Sequence, residues 1–304
     1  MLASLKEELQ GQSWIPILTA GLVIGVTVVL TGIIPMAALV FAGELERFLA
    51  TGISIALMSS IVIGIVLAFR SSFVGMVAFL VAEEATILGT MATAIAKTMP
   101  PDATDNDILL TIVTAISLAS LLTGAFMFAL GKFKLGELIR FLPYPVVGGF
   151  LAGLGYLITD ASFRVLTNGK FSLVNLPQLF QLDILLRWVP ALVLAIILVM
   201  VTRRRSVHYL ALPGLVLGAI ALFYGVLFLT QTSTAQALQD GWLLGPFPEG
   251  SRWNPFSLSL LMQANWALIW KQVSNMGVLM LITALSLLLV CSALELITER
   301  DINL

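Results

Sequence analysis

Charge is scarce in this sequence. Asp, Glu, Lys and Arg together make up 11% of its 304 residues, against roughly 25% in an ordinary soluble domain. So few charges cannot clothe the surface of a soluble fold of this length. The single cysteine, Cys291, sits inside an apolar run, which excludes a disulfide framework and a thiolate metal cluster. The only histidine, His208, follows Arg203, Arg204 and Arg205. A Ser/His/Asp triad or a histidine metal site would need it to leave that basic turn. A formal net charge of −1 offers no basic excess to a nucleic acid. No metal site, cofactor or enzyme active site is expected from this inventory.

Apolar sequence is what the chain has in quantity: 59% hydrophobic residues and a mean hydropathy of +1.02. A bilayer needs about 20 apolar residues in a row to cross roughly 30 Å of hydrocarbon, and several such runs are present. The fold class expected is therefore an all-α polytopic membrane protein with about eight transmembrane segments. The first run extends from Trp14 to about Ala42, too long for the core of a signal peptide. Others lie near Ile53 to Phe69, Phe73 to Ala96, Ile108 to Leu130, Val146 to Thr159, Trp188 to Val201, Leu210 to Leu229 and Val278 to Ile297. Lys and Arg are retained on the cytoplasmic side. An inside N-terminus places Lys6, Arg70, Lys132, Lys134, Arg140, Arg203, Arg204, Arg205 and Arg300 there, with Arg47, Lys97, Arg164, Lys170 and Arg187 as exceptions. A multi-pass protein of the inner or plasma membrane, with a cytoplasmic N-terminus, is expected.

Smaller features fit a bundle in lipid. The glycine pairs Gly21/Gly25, Gly149/Gly153 and Gly214/Gly218 have the four-residue spacing that lets helix backbones approach. Asp102, Asp105 and Asp107 precede the fourth run and suit helix caps better than a cation site. Trp242 and Trp253 suit interfacial anchors.

Ionisable groups at membrane depth cost about 2.5 to 3.5 kcal/mol on insertion scales, so each is a candidate for function. Glu83 and Glu84 interrupt the third run a little before its middle. The economical arrangement is a broken segment, in which residues 73–82 enter as irregular chain and a helix starts near Glu83, its free amides and dipole end facing the carboxylates. Such half-helix ends line the binding cavities of transporters. The alternative is that the pair caps a helix near an interface. Glu295 falls late in the last run, one face with Ser292 three residues before it; there it could hold a cation, exchange a proton or bind cargo, or belong to the cytoplasmic exit. Asp160, closing the fifth run, fits an outer-surface position. In the first run Thr27, Thr31 and Pro35 break the apolar stripe, and Pro35 should bend the helix or form a pocket wall.

The segment Ile139-Arg-Phe-Leu-Pro-Tyr-Pro-Val-Val-Gly-Gly-Phe-Leu-Ala-Gly closely resembles the signature of the SulP family of inorganic anion permeases. Residues 295–304 resemble the acidic segment after that family's eighth helix, and Ala20 to Pro35 its first helix. The resemblance implies a fold of fourteen segments in two inverted repeats of seven, with a STAS domain after it. This chain would supply the first repeat, with its broken third segment, and the opening helix of the second. It implies core-type segments over 14–131 and 276–298 and gate-type segments over 135–231, with elevator-like displacement of core against gate.

Carried over by residue, the implied substrate site takes Glu83, Glu84, Ala85 and Thr86 from the third segment, Pro35 and Met36 from the first helix, and Ser292 and Glu295 from the eighth, with Glu295 also the coupling-ion residue. Two positions depart from the family: the acidic pair stands where many members have Gly-Pro, and Met36 where many have glutamine. Carboxylates at a helix N-terminus offset the potential that attracts an anion. The implied function is secondary transport of a small inorganic anion of the sulfate or bicarbonate class. H⁺ or Na⁺ coupling and a homodimeric assembly stay open. A nucleobase-type permease and a non-transporting membrane anchor or sensor are the alternatives.

Overall fold

A computed structural model describes residues 14–70, 77–133, 144–167, 172, 174–203, 211–243 and 263–298. Most of these residues are helical, and no strand occurs among them. Where it is described, each apolar run named above lies on helix, the third from Ala82 onward, and six of the described helices are long and apolar enough to cross a membrane. The chain divides into two compact units, Met1–Gly32 with Leu179–Pro246 and Ile33–Gln178 with Phe247–Leu304.

In the first unit, α1 (Trp14–Val28) and α7 (Leu182–Thr202) pack on α8 (Ala211–Leu229). Long stretches of α7 and α8 leave Leu, Ile and Val side chains exposed, including Leu192, Val193, Ile196 and Leu222, the pattern of a surface solvated by lipid. After α8, Ser233 caps the short α9 (Thr234–Gln239) through a capping box with Gln236. The Arg187 guanidinium on α7 ties this turn down by donating to the Asp240 carbonyl at 2.8 Å.

The second unit holds the larger core. Its first helix is α2 (Ile34–Val40), reached through a π-helical turn at Val29–Ile33. Pro35 lacks the amide that would bond back four residues, and it sits in the first turn of α2, where that loss is tolerated. The hydroxyls of Thr27 and Thr31 turn inward on their own helix, donating to the Val23 and Thr27 carbonyls at 2.8 Å each. A 3-10 turn (Gly43–Phe48) then leads into α3 (Leu49–Arg70).

Next come α4 (Ala82–Thr98), α5 (Asp105–Lys132) and α6 (Tyr144–Thr167), and, after the short α10 (Trp266–Trp270), α11 (Val273–Thr298). Helix α4 is central: α2, α5, α6 and α11 all pack on it. Its small residues Ala85, Gly89 and Ala92 are buried. A Cβ at Gly89 would lie 3.0 Å from the Leu39 carbonyl oxygen and 3.3 Å from the Val40 Cα, so glycine is what admits α2 at that distance.

One expectation is met in part, by Asp107, and two are corrected. The cap of α5 is Thr104, whose hydroxyl accepts from the Asp107 amide while the Asp107 carboxylate accepts from the Thr104 amide. Asp107 serves as the third helical residue and Asp105 pairs with Arg47 at 3.1 Å. The glycine pairs Gly21/Gly25, Gly149/Gly153 and Gly214/Gly218 have open space where a Cβ would stand; the close approaches occur at Gly89 and at Gly52, against Phe41. Asp160 is buried rather than at an outer surface, because α6 continues to Thr167.

Candidate functional site

Over its described residues the third apolar run is non-helical at 77–81 and helical from Ala82 onward. Val81 has extended backbone angles, φ −99 and ψ 166. Helix α4 opens at Ala82, placing Glu83 second and Glu84 third in its first turn, where carboxylates complement the free amides and the positive end of the dipole. No proline forces this start; the acidic pair selects it. At the other end Met99 is extended, as a residue before proline must be, and Pro100-Pro101 stop the helix.

The two carboxylates take different partners. Glu84 reaches back to the Val81 amide and lies beside the Thr283 hydroxyl of α11. The amide bond is one half of a capping box. Glu83 accepts a 2.9 Å bond through Oε1 from the Ser286 hydroxyl of α11. Thr283 and Ser286 are three apart and so share a face of α11. Both carboxylates are half-buried, and neither forms an ion pair with a Lys or Arg among the described residues.

The other expected site residues are distributed unevenly around this point. Ala85 and Thr86 are buried, and the Thr86 hydroxyl donates to the Ala82 carbonyl at 2.7 Å; they form the packed flank of the helix start. Pro35 is exposed, and Met36 lies half-buried against the core shared by α2 and α4. Ser292 and Glu295 lie on the last turns of α11, and their side chains fall outside the described residues, as do residues 139–143 and 299–304 of the segments that carry the family resemblance.

Thr283 and Ser286 were missed by sequence reasoning. Their signal is present in the sequence as two hydroxyls at helical spacing inside an apolar run, Ile282-Thr-Ala-Leu-Ser-Leu-Leu. That pattern alone is common, because a helix satisfies such hydroxyls with its own carbonyls.

No solved structure matches the chain. The vacuolar basic amino acid transporter VSB1 of Saccharomyces cerevisiae is 28% identical over 233 residues, which is 74% of this chain and 22% of the yeast protein. The chain thus spans about a fifth of that relative's length. Residues 16–304 match the profile of the Sulfate permease family. An all-helical chain built around a helix that starts within an apolar run, matched over nearly its whole length by that profile, belongs to the Sulfate permease (SulP) family of membrane transporters.

Proposed function

We propose that this chain is part of the transport domain of a secondary transporter that carries a small inorganic anion, of the sulfate or bicarbonate class, together with H⁺ or Na⁺. Family membership supports the transport class. The observation that carries the site is the start of α4 within its apolar run, with Glu83 and Glu84 set against Ser286 and Thr283 of α11. The carboxylates beside this helix start offset the pull of its amides on an anion, so family membership supports the anionic cargo and the acidic pair provides for a cation that travels with it. In this reading segments within 14–131 and 276–298 move as a core against a gate formed within 135–231, and Glu295 is a second place for the coupling ion.

One observation favours a second reading. Two carboxylates with no Lys or Arg partner among the described residues suit a cationic group directly, and the yeast relative is named for basic amino acids. The cargo would then be a cationic amino acid, its ammonium or guanidinium group facing Glu83 and Glu84.

Uptake by the full-length protein in proteoliposomes separates these readings, with radiolabelled sulfate, bicarbonate, arginine and uracil as probes and imposed pH or sodium gradients as drivers. Gradient-driven sulfate or bicarbonate uptake is the expected result. Arginine uptake alone would establish the second reading. Uracil uptake would point to a nucleobase permease, and no flux of any probe would sink transport in favour of an anchor or sensor.

A further inference from the structure

We infer that Ser286 of α11 is a positioning residue for Glu83, holding one carboxylate of the acidic pair ready for a ligand while Glu84 is spent on capping its own helix. The inference rests on the transport reading and names how that site is set.

The contrast with other hydroxyls in the chain supports it. Thr27, Ser54, Thr86, Thr90 and Thr159 each donate to a carbonyl four residues back on their own helix, the ordinary fate of a hydroxyl on an apolar helix. Ser286 departs from this habit. Its hydroxyl leaves α11 and donates to Glu83 Oε1 at 2.9 Å, across 203 residues of sequence. A hydrogen bond to a carboxylate is stronger than one to a neutral carbonyl, and this one restrains the Glu83 carboxyl through Oε1. It uses one oxygen only. Glu83 Oε2 has no hydrogen-bond partner among the described residues, so one oriented oxygen remains for a cation or a donor group. Glu84 differs, because the Val81 amide engages it and the Thr283 hydroxyl lies beside it. Adjacent carboxylates of like composition are thereby divided between holding the helix start and meeting the ligand.

The full-length protein in proteoliposomes tests this with radiolabelled sulfate, bicarbonate and arginine. Ser286→Ala should raise KM for the carried probe about tenfold, the size expected for one hydrogen bond to a charged group, with Vmax within twofold. Ser286→Thr, which keeps the hydroxyl, should restore KM. On a Glu83→Gln background, Ser286→Ala should add nothing further. A purely structural serine would instead lower folded yield and Vmax together with KM unchanged, and that result would overturn the assignment. If Glu83→Gln transports normally, the proposed site itself fails, which is a different outcome from a normal Ser286→Ala beside an impaired Glu83→Gln. A readout that needs no flux is the infrared carboxyl band of purified protein, identified as Glu83 by its loss in Glu83→Gln. Ser286→Ala should shift that band and Ser286→Thr should not; an unmoved band in the alanine variant refutes the inference whatever the liposomes show.

Discussion

The Ser286 hydroxyl and the Glu83 carboxylate meet at 2.9 Å, joining the last described helix to the first turn of α4. The bond gives the acidic pair an asymmetry that neighbouring residues of one type would otherwise lack. Neutralising Glu83 should therefore strike transport, and truncating Glu84 should strike the helix. We expect Glu83→Gln to cut uptake in proteoliposomes at least about tenfold with little change in thermal unfolding. Glu84→Ala should lower stability by about 1 kcal/mol through the lost cap. Equal effects of the two changes on both measurements would contradict the division.

The approach of α2 to α4 depends on Gly89, whose missing Cβ faces backbone atoms that cannot rotate away. Gly89→Ala should destabilise by about 1 to 3 kcal/mol, as overpacking does. Gly277→Ala on α11 has open space around it and should be neutral or stabilising by up to about 1 kcal/mol. Thermal unfolding in detergent compares the two, and equal midpoints would refute the close packing.

Threonines on α5 offer a matched pair. Thr111 is buried, accepts from the Asn265 amide at 3.2 Å and donates to the Asp107 carbonyl at 2.8 Å. Thr114 is equally buried, and its hydroxyl has no partner among the described residues. Replacing an unpaired buried hydroxyl by a methyl removes an unpaid desolvation cost, whereas removing a paired one strands its donor. Thr114→Val should match or exceed wild-type stability, and Thr111→Val should lose about 1 kcal/mol. The reverse order in a denaturation series would count against the hydrogen-bond assignment.

At the start of α5, Thr104 and Asp107 exchange reciprocal bonds with each other's backbone amides. Thr104→Ala removes the side-chain acceptor for the third helical amide. Hydrogen exchange of the first-turn amides should then quicken about fivefold, in line with the usual worth of an N-cap, while amides beyond the second turn keep their rates. Unchanged exchange at Asp107 would show that the cap is idle.

The helices themselves were legible in the sequence, because apolar runs of spanning length admit few other structures. The break in the third run was legible for a related reason: Glu83 and Glu84 are poor residues for helix interior in lipid and good ones for a helix start. What the sequence could not supply was the partner across the fold. Ser286 and Thr283 look like ordinary hydroxyls until α11 is laid against α4, and no local rule pairs residues some 200 positions apart. Glycine spacing misled for the opposite reason, since a four-residue glycine pair is common in membrane helices and only the neighbours decide whether a backbone comes near. Asp160 was assigned to an outer surface because the apolar run ends there, yet α6 does not end with it.

The non-helical chain over 77–81 carries a further consequence. Helix α4 has 17 residues, a rise of about 25 Å, short of the roughly 30 Å of hydrocarbon, so a full crossing along this segment would need chain beyond the helix, and the stretch 77–81 before it has no internal ladder. Its peptide groups cannot be left to acyl chains, which neither donate nor accept. Wherever that stretch lies at depth, hydration or other polypeptide must accompany it, and the route by which water reaches those peptides is also the natural course for a hydrophilic passenger.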